Sequence, residues 1–318
     1  MSGNLALVVD QTGATLEIGT HQTVVLVHAD GRRERVGLRA LGSVVLHGDV
    51  KLSTGLLQAV AAHGIALTAL PRRGRAPAVG FSRMPHRQVL LRHGQHLACA
   101  DPSQRLALAR RVVWAKLEAM AEFARAHAPD SELELYRAMQ TAADAPDVAA
   151  LMGVEGAATV KHFESLAALY LRSGPFRFNG RSRQPPRDEP NALMSLAYTL
   201  AQSQATQLAL HAGLDAQVGF LHALHRDRES LALDLLEPAR AALDAWVHAL
   251  LTQRKLLAPE MFSAANDMGV RLTKEGRQLF YPVWFREGYR VALLPMRRLL
   301  ACLLASLRTG RPAEPACT

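Results

Sequence analysis

Near residue 85 the hydrophobic pattern of this chain changes period, and that change demands two kinds of structure. From residue 4 to 82 the apolar residues come in short β-branched or alternating runs, LALVVD, ATLEIG, TVVLVHA, ERVGLRA and SVVLHG, separated by Gly, Asp and Thr-Gly turns. A period of two puts alternate side chains on one face of a pleated strand, so these runs predict strands. One helix is expected among them at Thr54–Ala62, then a strand over IALTALP, and the basic PRRGR of Pro71–Arg75 reads as a turn. From Ser103 onward, Leu106, Ala109, Val112, Val113, Ala115 and Leu117 recur at the spacing of one helix face, with Arg and Lys expected on the other. The fold class is therefore α+β: a small N-terminal β-rich domain over residues 1–85, then a larger all-α domain over 86–318.

Within the second domain, helices are expected near 131–142, 146–151, 157–171, 190–211, 215–224, 229–251, 258–265 and 275–307. The last should break at Pro282 and Pro295, because a proline ring removes a backbone donor and crowds the preceding turn. Between helices lies Gly174–Pro190, GPFRFNGRSRQPPRDEP, long for a connection without structure of its own. Arg177, Arg181, Arg183 and Arg187 make it positive, and Arg181 and Arg183 are taken as DNA contacts. The closing RTGRPAEPACT reads as a frayed tail.

A chain of 318 residues can bury a substantial core in two domains. Its 37 Lys and Arg against 28 Asp and Glu leave a net charge of +9, which points to a polyanionic partner, nucleic acid ahead of an anionic membrane surface. Cys99, Cys302 and Cys317 are odd in number and lack C-x-x-C spacing, which argues against a disulfide framework or a structural zinc site and fits a reducing compartment. The start MSGNLALVVDQTG lacks a signal-peptide layout, and the apolar C-terminal stretch is interrupted by Arg297 and Arg298. A cytoplasmic protein with no membrane partner is expected.

The chemistry is concentrated in Gly219–Arg240, GFLHALHRDRESLALDLLEPAR. If SLALDLLE is helical, Asp234 and Glu237 stand at i and i+3, so both carboxylates project from one face and can share a hard cation. His222 precedes them and Arg240 follows, with Pro238 able to break the helix between. Two acids, an imidazole and a guanidinium suit metal-assisted attack on a phosphodiester. A lone D-x-x-E pair more often marks a solvated helix face, so the pair does not suffice by itself. His222 and His225 form an H-x-x-H pair, but with 13 histidines in the chain such a pair arises by chance, and His225 is read as a surface or loop residue. Tyr198, Trp246 and Trp284 are read as core or interface aromatics. A further acid, Glu155, sits in MGVEG at the expected start of a helix, between two nearby glycines that would let its backbone approach another element closely.

The order G-x-E-G, then PPRD-x-x-NALMS-x-x-YTL at Pro185–Leu200, GLD-x-x-x-GFLH at Gly213–His222, and SLALDLLEP-x-R at Ser230–Arg240 resembles the CRISPR-associated integrase and endonuclease that captures spacers, the "Cas one" family. Four ordered motifs over essentially the full length make a specific signal. The resemblance implies that the β-rich domain is a scaffold or dimer contact and that the helical domain is catalytic, binding metal and DNA. It matches Glu155, His222 and Glu237 to ligands of one divalent ion, Mg²⁺ or Mn²⁺, and Asp234 to an acid assisting beside the metal or at it. Arg228 and Arg240 match basic positions near the scissile phosphate. The implied activity is insertion of short captured DNA into a CRISPR array, the 3′-hydroxyl of a duplex attacking a phosphodiester at the repeat boundary, in antiviral defence. The implied partners are DNA, a second copy of the chain, and a small ferredoxin-like adaptation protein that completes a heterohexamer.

The chain departs from the family pattern where Asp227, Arg228 and Glu229 replace Gly-Arg-Pro before SLALD, where Ala216 replaces a proline, and where Ala239 replaces a larger apolar residue. These changes alter loop shape and local charge and leave the ligand set intact. Two other readings use the same residues: a structure-selective nuclease of branched DNA acting in repair, and a catalytically silent nucleic-acid-binding scaffold.

Overall fold

The computed structural model describes residues 5–71, 78–81, 88–183, 185–226, 228–263 and 269–309. The chain divides into two compact units, Met1–Pro85 and His86–Thr318. In the first, eight strands run in order: β1 (Leu5–Val9), β2 (Thr15–Gly19), β3 (Thr23–Val27), β4 (Arg33–Gly37), β5 (Leu41–His47), β6 (Lys51–Leu52), β7 (Ala66–Leu70) and β8 (Val79–Phe81). One sheet has the order β1-β5-β7-β8, parallel except for the antiparallel edge strand β8, and the other the order β4-β3-β2-β6. The β2–β3 hairpin turns through Thr20, His21 and Gln22, the last two at positive φ (56° and 54°). Helix α1 (Thr54–Ala62) starts where the Ser53 hydroxyl accepts a hydrogen bond from the Leu56 amide at 3.2 Å, and it buries Leu56 and Val60 in a core with Leu16, Val44 and Ile65. β6 and β8 go beyond the strands expected, and most of the predicted PRRGR turn lies outside the described residues, as does most of the predicted tail.

The second unit is helical: α2 (Val89–Ala100), α3 (Pro102–His127), α4 (Glu132–Ala143), α5 (Val148–Ser173), α6 (Glu189–His211), α7 (Ser230–Leu236), α8 (Arg240–His248), α9 (Lys274–Val283) and α10 (Tyr289–Thr309). Asp101, Asp147 and Asp188 start α3, α5 and α6 by accepting from amides in the first turn. Helix α6 is buried along most of its length, from Pro190 to Ala209. Trp284, fully buried, packs against Trp246 and Phe280 at ring distances of 5.7 and 6.1 Å. Among the described residues no helix is long and apolar enough to cross a membrane.

Several expectations are corrected. The helices predicted at 146–151 and 157–171 are one, α5, so Glu155 lies inside a helix and not at its start. Leu151, Ala158, His162, Leu166 and Tyr170 give α5 a continuous buried face, and burial of that face outweighs the cost of Gly153 and Gly156. A side chain at either glycine would meet open space, so neither serves a close approach. No helix forms at 215–224, which is a loop, and among the described residues of 258–265 the helical structure is a short 3-10 turn at Pro259–Met261. Pro282 and Pro295 do not end their helices; a wider π-helical turn at Trp284–Gly288 joins α9 to α10. The 229–251 segment bends through a 3-10 turn at Glu237–Ala239, where Pro238 sits. On α3 the basic residues do not all face water: Arg111 and Lys116 lie on the buried side with Val112, Val113 and Leu117.

Candidate active site

Asp234, on the last turn of α7, is fully buried and organises the loop before it. Its Oδ2 accepts from the amides of Phe220 (2.6 Å) and Leu221 (3.1 Å), and its Oδ1 from the amide of His222 (3.0 Å) and from His222 Nδ1 (2.7 Å). A buried carboxylate with its lone pairs so engaged stabilises the non-helical backbone of residues 219–222. Asp234 is thereby set to hold the ligand loop, with its oxygens committed to protein donors. The same bond fixes a proton on His222 Nδ1, leaving Nε2 with its lone pair free. Gly219 lets the loop lie this close, because a Cβ there would come within 2.7 Å of the Ser230 carbonyl carbon and 2.9 Å of Asp234 Oδ2.

From the other side the loop is held by groups the sequence did not announce. Gln95 of α2, fully buried, donates to the carbonyls of Asp215 (2.9 Å) and Val218 (2.7 Å) and accepts from the Asp215 amide (2.8 Å). Arg105 of α3 donates to the Phe220 carbonyl at 2.9 Å. A glutamine and an arginine on amphipathic helices carry no spacing signal that would single them out.

Glu237 follows α7 at the 3-10 turn, and its Oε1 lies 4.0 Å from His222 Nε2 and 2.9 Å from Arg240 Nε. Its other oxygen, Oε2, faces Lys116 Nζ at 2.6 Å. The same ammonium pairs with Glu155 Oε1, which also accepts from the Thr159 hydroxyl at 2.9 Å. Glu155, His222 and Glu237 are thus brought to one place, with Lys116 between the two glutamates. Burial alone would raise the Glu237 carboxyl, but Arg240 first and Lys116 next hold it well below the ordinary carboxylate range. Burial works against the Arg240 charge, and Glu237 and Asp244 outweigh it and keep the guanidinium firmly protonated.

Behind Arg240 lies a second polar chain. The Arg240 guanidinium stacks over the Tyr198 ring at 4.8 Å, with Arg181 over the same ring at 5.4 Å. The Tyr198 hydroxyl donates to Asp244 Oδ1, and His162 Nε2 bonds Asp244 Oδ2 at 2.9 Å. Burial first, and then the Asp244 charge, push the Tyr198 phenol well above its usual value. Tyr198, Trp246 and Trp284 are buried, in keeping with the core reading.

The other basic residues divide. Arg181 is spent inward, donating to Asn191 Oδ1 (2.8 Å) and Ser195 Oγ (3.0 Å) of α6, while the buried Phe178 packs its loop against Phe163 and Tyr170 of α5. Arg183 and Arg187 are exposed on that loop. Arg228 braces its own loop by donating to the Ala223 carbonyl, and His225 is exposed.

Among the described residues no three His, Cys, Asp or Glu side chains close into a ready coordination shell. Lys116 pairs with both glutamates there. The donor set still fits a divalent ion: two carboxylates and an imidazole with a free Nε2 suit Mg²⁺ or Mn²⁺ better than the thiolate-rich sites of structural zinc.

Fold and site define a class: a two-unit protein whose helical part gathers carboxylates, an imidazole and buried cations in one cluster. The family model for CRISPR associated protein Cas1 matches residues 7–286. A relative named CRISPR-associated endonuclease Cas1 3, from Thermus thermophilus, is 36% identical over 83% of this chain and 82% of its own length. A Cas1 protein of Thermotoga maritima is similar in structure, with a TM-score of 0.82 and 25% identity over 96% of this chain and 97% of that one. A casposase bound to its integration product shares the fold, with a TM-score of 0.81 at 17% identity over 98% of this chain and 92% of that one. The chain belongs to the Cas1 family of CRISPR-associated proteins.

Proposed function

We propose that this chain is a divalent-metal-dependent DNA integrase and endonuclease that inserts short captured DNA into a CRISPR array. The observation that carries the reading is that one buried ammonium, Lys116, joins Glu155 to Glu237, while His222 Nε2 lies 4.0 Å from Glu237 Oε1. Those three residues would hold Mg²⁺ or Mn²⁺, which supplies Lewis-acid polarisation of phosphate oxygens and activation of the attacking hydroxyl. The relative's name, endonuclease, and the shared fold of a casposase bound to an integration product support a phosphodiester substrate.

The chain's own residues have separate tasks in this reading. Asp234 keeps the His222 ring in one tautomer and orientation, so it acts as a positioning residue. Arg240, held by Glu237 and Tyr198, places a fixed positive charge where charge builds on the phosphate. Exposed Arg183, with Arg228, contributes to holding the DNA backbone. Arg181 acts indirectly by shaping the loop that carries Arg183. The β-rich unit serves as scaffold or dimer contact, and a small ferredoxin-like partner completes the assembly.

The test is a strand-transfer assay with a labelled short duplex, a supercoiled plasmid carrying a repeat, and Mn²⁺ or Mg²⁺, comparing wild type with Glu155→Ala and His222→Ala. Joined product from wild type alone is expected. Cutting confined to branched substrates, with the same sensitivity to both mutations, would favour the repair-nuclease reading. Equal activity in the mutants would overturn the site.

A further inference from the structure

Lys116 is an unusual residue to find on the buried face of a long helix. It lies among Val112, Val113, Leu117 and Met120 on α3, and its side chain is 5% exposed. Burying an ammonium is costly unless it is paired, and here it is paired twice, with Glu155 Oε1 and with Glu237 Oε2 at 2.6 Å. These are two of the three residues read above as ion ligands, and the inference rests on that reading.

We propose that Lys116 is the resident counter-cation of the site: its ammonium occupies the position between Glu155 and Glu237 that a divalent ion must share, so loading the ion requires it to give up at least one carboxylate. The charges explain why such a residue is useful. Glu155 and Glu237 contribute two negative charges, and Lys116 and Arg240 two positive ones, so these four groups balance one another without any ion. Without Lys116, two carboxylates in a buried place would repel each other and destabilise the unit. When a divalent ion enters, the cluster gains two positive charges that only an anion can offset, and a DNA phosphate is that anion. Ion binding and DNA binding therefore reinforce one another, and the displaced ammonium is available to donate to a phosphate oxygen. The residue thus sets when the site is charged with metal as well as holding its acids together.

The test is calorimetric titration of the full chain with Mn²⁺, for wild type, Lys116→Met, His222→Ala and Glu237→Gln, each with and without a short DNA duplex. Lys116→Met is expected to bind Mn²⁺ about tenfold more tightly or better without DNA, since a competing charge at contact distance is gone. Wild type should gain Mn²⁺ affinity when the duplex is present, and the variant should gain less. Thermal unfolding gives a second readout, in which Mn²⁺ raises the melting temperature of Lys116→Met more than that of wild type. If Lys116→Met does not hold its fold without metal, Lys116→Gln, which keeps one donor for a carboxylate, carries the same comparison. Mn²⁺ binding in the Lys116 variants equal to or weaker than wild type, while His222→Ala and Glu237→Gln lose it, would overturn the proposal and leave the ion site standing. Undiminished binding in His222→Ala and Glu237→Gln would remove the ion site and the proposal with it.

Discussion

Asp234 shows how much a single side chain can decide. It was legible as half of a D-x-x-E pair, and the pair does face one site, but its carboxylate is given to three amides and the His222 ring. Sequence spacing places a residue on a face; it does not say which donors will reach it. Asp234→Asn turns an NH₂ toward donors in a buried place, and a loss of about 3 kcal/mol is expected, read from the urea unfolding midpoint. Strand-transfer activity should fall with it, because nothing then fixes the His222 tautomer. Lys116, the companion lesson, was hidden because a lysine on a helix is ordinarily assigned to the wet face, and only the partners across the fold make burial tolerable.

At the scale of elements, α5 and α8 carry the predictions. Gly153 and Gly156 lie inside α5 with open space where a side chain would go, so Gly153→Ala with Gly156→Ala should stabilise the protein by about 1 to 2 kcal/mol, measured by thermal denaturation. Their presence beside Glu155 was read as a sign of close packing, and the helix shows otherwise. A second expectation concerns His248 at the end of α8, whose ring is buried against Tyr170. Burial, and then the nearby His127, depress its pKa from 6.5 to about 4. The unfolded chain therefore binds the proton first: the neutral ring's contribution is complete above pH 6.5 and is lost as pH falls toward 4, by up to about 3 kcal/mol. His248→Leu should flatten the slope of unfolding midpoint against pH in that window. The strands and most helices were legible because their periodicity is local. The 215–224 loop was not, because it depends on Gln95 and Asp234, residues that lie far from one another in the chain.

For the whole molecule, the excess of nine positive charges sets the energetics of DNA binding in the proposed function. Affinity for a short duplex should fall steeply as salt rises, and Arg183→Ala should lower the slope of log affinity against log salt by about one, measured by fluorescence anisotropy. Arg181→Ala, tied inward, should instead show up mainly as lost stability of the 174–190 loop. The α+β division and the motif order could be read from one sequence because each motif is contiguous; the cation that joins two of them could not. Lys116 comes from α3, Glu155 from α5, His222 from a loop, Glu237 from the turn after α7 and Arg240 from the start of α8. A chain under synthesis therefore carries no assembled site until Arg240 has been made and has folded back on segments formed more than a hundred residues earlier. In the proposed function, a stalled nascent chain or a proteolytic fragment ending before that point is therefore expected to join no DNA, so that activity would arrive only with the finished helical unit.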